Sequence, residues 1–213
     1  ADIIGKDSAL SSKVIGASNT ARFGRKNNFT SLEHKLALIG LDMVQTIAIS
    51  SSVYQVFNNL SSSPEFDLKV FWGHSLTSAF MAKQIAQEMS YPHPEEAYLT
   101  GLLLDIGQLV LWSNYPKQYA ALLADKVDDL QHMARERAEL GNNHCEVGSW
   151  LVSSWNLNSF MADAVLYHHM PQDKIADAHR LIQIANVAAS LSMSGADMEE
   201  RFEAGARLLG ITP

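Results

Sequence analysis

Residues 99–110 read Leu99-Thr100-Gly101-Leu102-Leu103-Leu104-Asp105-Ile106-Gly107-Gln108-Leu109-Val110 and form the most hydrophobic stretch of the chain. A membrane span needs about 18 apolar residues in a row; this run is shorter and is broken by Gly101, Asp105 and Gly107, so it reads as a buried segment that does not cross a membrane. Its apolar positions recur at three and four rather than at two, which predicts a helix. Pro94, Glu95 and Glu96 favour a helix start just upstream, because a proline needs no N–H there and carboxylates suit the positive end of the helix dipole. From there the predicted helix runs through Tyr98 to Trp112. Asp105, set between Leu104 and Ile106, must find hydrogen-bond partners or have its pKa raised by burial, and a histidine is the obvious partner.

The same period holds on either side. Asp7 caps a predicted helix through about Ser18, and Ser31 caps a short one carrying Leu32, Leu36 and Ile39 that Gly40 ends. Leu41 begins a long helix with Val44, Ile47, Ala48, Tyr54 and Phe57 on one stripe, and a loop follows over 58–64. Glu65 and Asp67 open a helix to about Met89. Downstream, Pro116 starts a helix to Ala124, and Asp128 caps one to Leu140 that Gly141 stops. Helices follow over about His144 to Trp155 and about Ser159 to His169, the second closed by Pro171, then over 175–193 and 197–209. No Val/Ile/Thr-rich alternating run carries hairpin punctuation, and no repeat of fixed period occurs. The fold class is all-α, a compact multi-helix bundle.

With 213 residues, 47 % of them hydrophobic and 18 % charged, the chain makes one sizeable domain or at most two small ones, and wholesale disorder is excluded. Cys145 stands alone, so no internal disulfide forms, and a reducing, cytosolic compartment is the simpler expectation. The chain opens without the residue order of a signal peptide. Its net charge of -7 is uneven: residues 1–35 carry about +3 and the rest about -10. An acidic body repels phosphate backbones, which weighs against nucleic-acid binding. Arg22, Arg25 and Lys26 form the one segment suited to a phosphate or an acidic partner, a solvated loop being the plainer reading.

Generic catalytic signatures are missing: no phosphate-cradling glycine loop, no nucleophile elbow, no paired CxxC. What remains is His74, Asp105, His144, His168 and His169, residue types that ligate divalent metals and that a bundle can aim inward from different helices. On a regular helix His168 and His169 would point about 100° apart, so both should not reach one ion. Taken singly, each histidine is more often packed or hydrogen-bonded than a ligand, and Asp105 with the histidines can equally form a polar cluster that fixes helix packing. Cys145 beside His144 reads as a buried structural thiol rather than a nucleophile, since neighbours in sequence do not face each other on a helix. Trp72, Trp112, Trp150 and Trp155 read as core rather than as platforms for a nucleotide base.

In order along the chain come Phe71-Trp72-Gly73-His74-Ser75, Gly101-Leu102-Leu103-Leu104-Asp105-Ile106-Gly107, His144-Cys145-Glu146-Val147-Gly148, Trp155-Asn156-Leu157 and His168-His169. Upstream lie Ile3-Ile4-Gly5-Lys6-Asp7-Ser8-Ala9-Leu10, Ser18-Asn19-Thr20-Ala21-Arg22-Phe23-Gly24 and Ile39-Gly40-Leu41. Together these strings resemble the HDOD family, the HD-related output domain of bacterial signalling proteins, over about residues 1 to 195. The resemblance implies a single HD-like helical domain over 1–213, with an N-terminal helical part over 1–60, an HD-like core over 65–195 and a C-terminal helix over 196–213. It also implies a truncated chain, since the family's usual N-terminal helices are missing before Ala1.

HDOD domains are similar to the HD phosphohydrolases, in which a histidine, a His-Asp doublet and a distal aspartate hold a catalytic metal. By that resemblance His74 matches the first histidine and Asp105 the doublet's aspartate. Leu104 stands in place of the doublet's histidine and Asn186 in place of the distal aspartate. Leucine donates no lone pair and asparagine offers only a neutral carbonyl, so tight binding at that site should be lost. The expected function is a non-catalytic signalling module that acts through protein contact or a small ligand such as a nucleotide, with an attached or partner domain of receiver, GGDEF or EAL type. The alternative is a metal-dependent phosphohydrolase in which His74, Asp105, His144, His168 and His169 form a rearranged divalent-metal site.

Overall fold

The computed structural model describes residues 7–18, 31–60, 63–125, 127–157, 159–193 and 197–211, and among them the chain is helical with no strand. Arg22, Arg25 and Lys26 lie outside the described residues. The chain divides into two compact units, 1–59 and 60–213. No single helix among the described residues is long and apolar enough to cross a membrane.

In the first unit α1 (Ser8–Ser18), α2 (Leu32–Ile39) and α3 (Leu41–Phe57) enclose a small core of Val14, Ile39 and Val44, flanked by Leu10, Leu32, Leu36, Met43 and Ile47. The caps are those that the sequence suggests. Asp7 Oδ1 accepts from the Leu10 N–H, and the Ser31 side chain accepts from the His34 N–H. Gly40, at φ +80°, turns the chain by 102° between α2 and α3, a backbone conformation that a side chain would strain.

The second unit holds α4 (Leu68–Glu88), α5 (Pro94–Leu103), α6 (Ile106–Asn114), α7 (Pro116–Ala124), α8 (Asp129–Leu140), α9 (His144–Ser154), α10 (Ser159–Tyr167), a 3-10 turn (Gln172–Lys174), α11 (Arg180–Ser192) and α12 (Met198–Leu209). Helix α11 is the central one. Nine consecutive residues, Leu181 to Ala189, are buried on every side of it, as happens when a helix is surrounded by others. It packs on α4, α5, α10 and α12.

Two glycines in the 99–110 stretch let backbones meet. A Cβ on Gly101 would stand 2.7 Å from the Ala79 Cα, so α5 lies directly on α4. A Cβ on Gly107 would overlap the His144 carbonyl oxygen, so α6 lies directly on the start of α9.

Several sequence-based boundaries need correction. The helix expected from Pro94 to Trp112 is two helices, broken at Leu104 and Asp105. The helix expected to reach His169 ends at Tyr167, which leaves His168 and His169 in a turn before Pro171. The helix expected from 175 begins at Arg180. Trp112 is core, whereas Trp150 is 76 % exposed and is not.

Candidate functional site

The break between α5 and α6 takes the Asp105 side chain off the regular helical path and into the middle of the second unit. There it is 5 % exposed. Its Oδ1 accepts from Gln108 Nε2 at 2.6 Å, one turn along α6, and its Oδ2 lies 3.4 Å from His74 Nε2 on α4. On the Oδ1 side, His168 Nε2 is 3.7 Å away and His144 Nε2 3.8 Å away. Three imidazoles from α4, α9 and the turn after α10 therefore surround one buried carboxylate. Asp105 has the histidine partner that its apolar neighbourhood demands.

A second buried carboxylate stands behind the first. Glu136 lies wholly inside, although α8 is otherwise a polar helix. Its Oε2 accepts from the His144 backbone N–H at 2.9 Å and faces His144 Nδ1 at 2.7 Å. Its Oε1 accepts from the Tyr119 hydroxyl at 2.7 Å and sits 3.2 Å from His132 Nε2. Sequence reasoning missed Glu136, because Arg135, Arg137 and Glu139 make the segment look solvated. The available signal was its place on the stripe Met133, Glu136, Leu140, where the helical period calls for an apolar residue.

His168 and His169 come together after all. Because α10 has ended, the 100° rule for helical neighbours does not govern them, and their ring centroids are 4.0 Å apart. Together with His144 and Cys145 they form a group whose ligand-capable atoms all lie within 4.8 Å of one another. His168 Nδ1 donates to the Val165 carbonyl at 2.7 Å, and its buried Nε2 has no hydrogen-bond partner. His169 Nδ1 faces Asp129 Oδ2 at 3.1 Å. Cys145 is buried, as expected, and its thiol donates to Met133 Sδ. The expectation that it would not face His144 is wrong. At the first turn of α9 its Sγ lies 3.4 Å from His144 Nε2, and it is 3.8 Å from His168 Nδ1.

Burial and partners set the charges. Burial alone would raise the Asp105 carboxyl, but His168 and His74 hold it well below the usual carboxylate range. Glu136 behaves alike: burial is overridden by His132 and His144. Burial opposes charge on His168, yet Cys145 and Asp105 push it up to about 10. The Cys145 thiol, which burial would raise, is drawn down to about 6 by His168 and His144. Burial and the neighbouring His168 bring His169 down to about 4.

Leu104 and Asn186 have other work. Leu104 is packed in the core. Asn186, on α11, points its Nδ2 at the backbone carbonyls of Tyr167, His168 and Met170, at 3.4, 3.0 and 2.9 Å. It thereby satisfies carbonyls that the end of α10 leaves over. The His74, Leu104, Asp105, Asn186 set therefore does not fit an HD-type metal: one member has no donor atom, and another turns its amide nitrogen to the backbone and has only a neutral carbonyl to offer. Two cavities reach the cluster. One, of about 360 Å³, opens on His74, Asp105 and Gln108; the other, of about 400 Å³, opens on Asp129, His168, His169, Asn186 and Arg201.

An all-helical fold with histidines gathered round Asp105 is what the resemblance to the HD-related output domains leads one to expect, and the comparison with known proteins agrees. The chain belongs to the HDOD family, whose domain model matches residues 1–171. Among solved structures it is similar to an HDOD domain protein of unknown function from Geobacter sulfurreducens, at 22 % identity and a TM-score of 0.70, covering 100 % of this chain and 76 % of that one. A Shewanella amazonensis SB2B protein, described provisionally as a phosphohydrolase, matches at 22 % identity and 0.70 over 97 % of this chain and 75 % of its own. The MmoQ response regulator from Methylococcus capsulatus str. Bath matches at 26 % identity and 0.62, over 99 % of this chain and 84 % of its own. An uncharacterized protein of Treponema pallidum (strain Nichols) is 22 % identical over 78 % of this chain, which spans about a third (32 %) of that relative's length.

Proposed function

We propose that this domain is a non-catalytic signal-transduction module, which passes on the state of an attached or partner domain by protein contact or by holding a small ligand. The observation that carries this reading is the use made of the two departures from the HD pattern. Leu104 is core and Asn186 is a backbone clasp, so two positions that would hold a catalytic ion hold the fold instead. Likeness to a response regulator supports a signalling setting, and the family resemblance gives receiver, GGDEF or EAL domains as the kinds of neighbour to expect. The unpaired Cys145 accords with a cytosolic setting in a bacterium. The cavity beside His168 and Arg201 has a size suited to a nucleotide or another small organic anion.

The test is an assay of the purified protein with Mn²⁺ or Mg²⁺ against phosphomonoesters, phosphodiesters and cyclic dinucleotides. No turnover above that of an Asp105→Ala variant is expected; turnover that this variant abolishes would overturn the reading. A second reading, a metal-dependent phosphohydrolase using His74, Asp105, His144, His168 and His169, is favoured by one observation, the unpartnered His168 Nε2 inside the cluster.

The clasp yields its own expectation. Asn186→Asp restores the HD-type residue but sets a carboxylate against three carbonyl oxygens and removes their donor. It should lower stability in urea denaturation by about 1 to 3 kcal/mol and should not create Mn²⁺-dependent hydrolysis. A variant as stable as the parent would remove the clasp from the account.

A further inference from the structure

The group His144, Cys145, His168 and His169 is a different donor set from the HD-type one, and we propose that it binds a thiophilic divalent ion of the zinc type. The outer hydrogen bonds of the three imidazoles argue for it. His144 Nδ1 is turned to Glu136, His168 Nδ1 to the Val165 carbonyl and His169 Nδ1 to Asp129. A carboxylate or carbonyl on one ring nitrogen fixes the tautomer and leaves the other nitrogen with its lone pair free, which is how metal-bound histidines are held. Nε2 is thus the nitrogen that each ring keeps out of its outer bond: that of His144 lies 3.4 Å from Cys145 Sγ and 3.8 Å from Asp105 Oδ1, and that of His168 is buried with no hydrogen-bond partner.

Spacing is the second argument. In a four-coordinate zinc site, with Zn–N near 2.0 Å and Zn–S near 2.3 Å, neighbouring donors stand about 3.3 to 3.6 Å apart. Cys145 Sγ and His144 Nε2 are 3.4 Å apart, and the whole group lies within 4.8 Å, so small movements of side chains in one turn and one helix start close the shell. Charge is the third. Asp105 and Glu136 are buried, and the groups that face them as counter-charges are imidazoles. A divalent cation beside them takes over from the imidazole protons as the positive charge that faces these carboxylates. The ion reaches the site through the cavity lined by Asp129, His168 and His169. On binding, the protons held by the group, on Cys145 Sγ or on the imidazoles that share its charge, leave to solvent, and the sulfur and one nitrogen of each ring supply the electron pairs of the new bonds.

Thiolate is what separates this site from one for Mg²⁺ or Mn²⁺, which prefer oxygen donors. The ion would join the first turn of α9 to the turn after α10. It does not depend on the domain being non-catalytic: hydrolysis centred on Asp105 would sink that reading and leave this one standing.

Cobalt(II), whose spectrum reports its ligands, is the probe. Titrated into the chelator-treated protein, it should bind one to one, with the visible bands of a four-coordinate ion and a thiolate-to-cobalt charge-transfer band in the near ultraviolet. Cys145→Ser should lose the charge-transfer band and bind zinc at least about 100-fold more weakly, and His169→Gln should bind it at least about 10-fold more weakly. A cobalt spectrum without the thiolate band, undiminished zinc affinity in Cys145→Ser, or no binding by the parent protein would each overturn the proposal. So would binding abolished by Asp105→Asn and kept by Cys145→Ser, which would assign the ion to the Asp105 histidines. Should Cys145→Ser fail to fold, X-ray absorption on the zinc-loaded parent decides: one sulfur near 2.3 Å with nitrogen near 2.0 Å supports the site, and a shell of nitrogen and oxygen alone overturns it.

Discussion

Glu136→Ala is expected to destabilise the domain by about 3 to 5 kcal/mol, measured by urea denaturation, which is much of what a domain of this size has to lose. The substitution leaves a cavity and strips the partner from four donors at once: the Tyr119 hydroxyl, His132 Nε2, His144 Nδ1 and the His144 backbone N–H. Removing one member of a buried charged network costs far more than the network's net worth, since the others stay buried and uncompensated. Glu136→Gln keeps an acceptor oxygen and should cost less. A loss below about 1 kcal/mol for alanine would mean that the cluster does not hold the helices together.

The same residue sets an acid limit. Glu136 and Asp105 have folded-state pKa values below their ordinary values of 4.5 and 3.8. A carboxylate of that kind contributes stability that is fully present above its unfolded pKa and is lost as pH falls through the folded one. The stability that these two carboxylates supply should therefore hold above about pH 5 and decline steadily below about pH 4.5. Glu136→Gln should decline less steeply over the same range; an equal slope would remove Glu136 from the acid response.

Gly107→Ala is the second large effect. The added methyl would overlap the His144 carbonyl oxygen and come within 2.8 Å of the Gly148 nitrogen, and both are backbone atoms of α9 that cannot rotate aside. Helix α6 must move off α9, and the cost should exceed about 3 kcal/mol, at or beyond the upper end of what overpacking usually costs. Gly73→Ala makes the contrast. It is the same change on α4 with nothing within 4 Å, and should raise stability by about 0.5 to 1 kcal/mol. Equal melting temperatures for the two variants would contradict the close approach of α6 to α9.

The capped helix ends were legible in the sequence, because a cap acts locally. Asp7, Ser31, Asp67, Asp128 and Gly141 act within a few residues of themselves. The glycines of the 99–110 stretch looked like interruptions of an apolar run, and their use, contact with Ala79 and His144, depends on residues distant in the chain. The break at Asp105 was hidden for a related reason: the periodicity of 98–112 suits a helix throughout, and what turns the aspartate inward is a set of histidines from three other places. His74, Asp105, His144, His168 and His169 could be named from residue type and order. Glu136 could not, since its partners Tyr119, His132 and His144 meet it only in the folded chain. The separation assigned to His168 and His169 failed because it assumed a helix that stops at Tyr167.

Asn186 ties the end of one helix to the middle of another by backbone carbonyls rather than by packing alone. The carbonyls of Tyr167, His168 and Met170 have their donor in the innermost helix of the domain, so the turn between them cannot fray independently as a surface turn does. To open it, α11 must leave as well, and α11 is buried on all sides. The two histidines thus belong to the slowest-opening part of the molecule, in the same cooperative unit as the core, and whatever reaches them must come through a cavity that already exists.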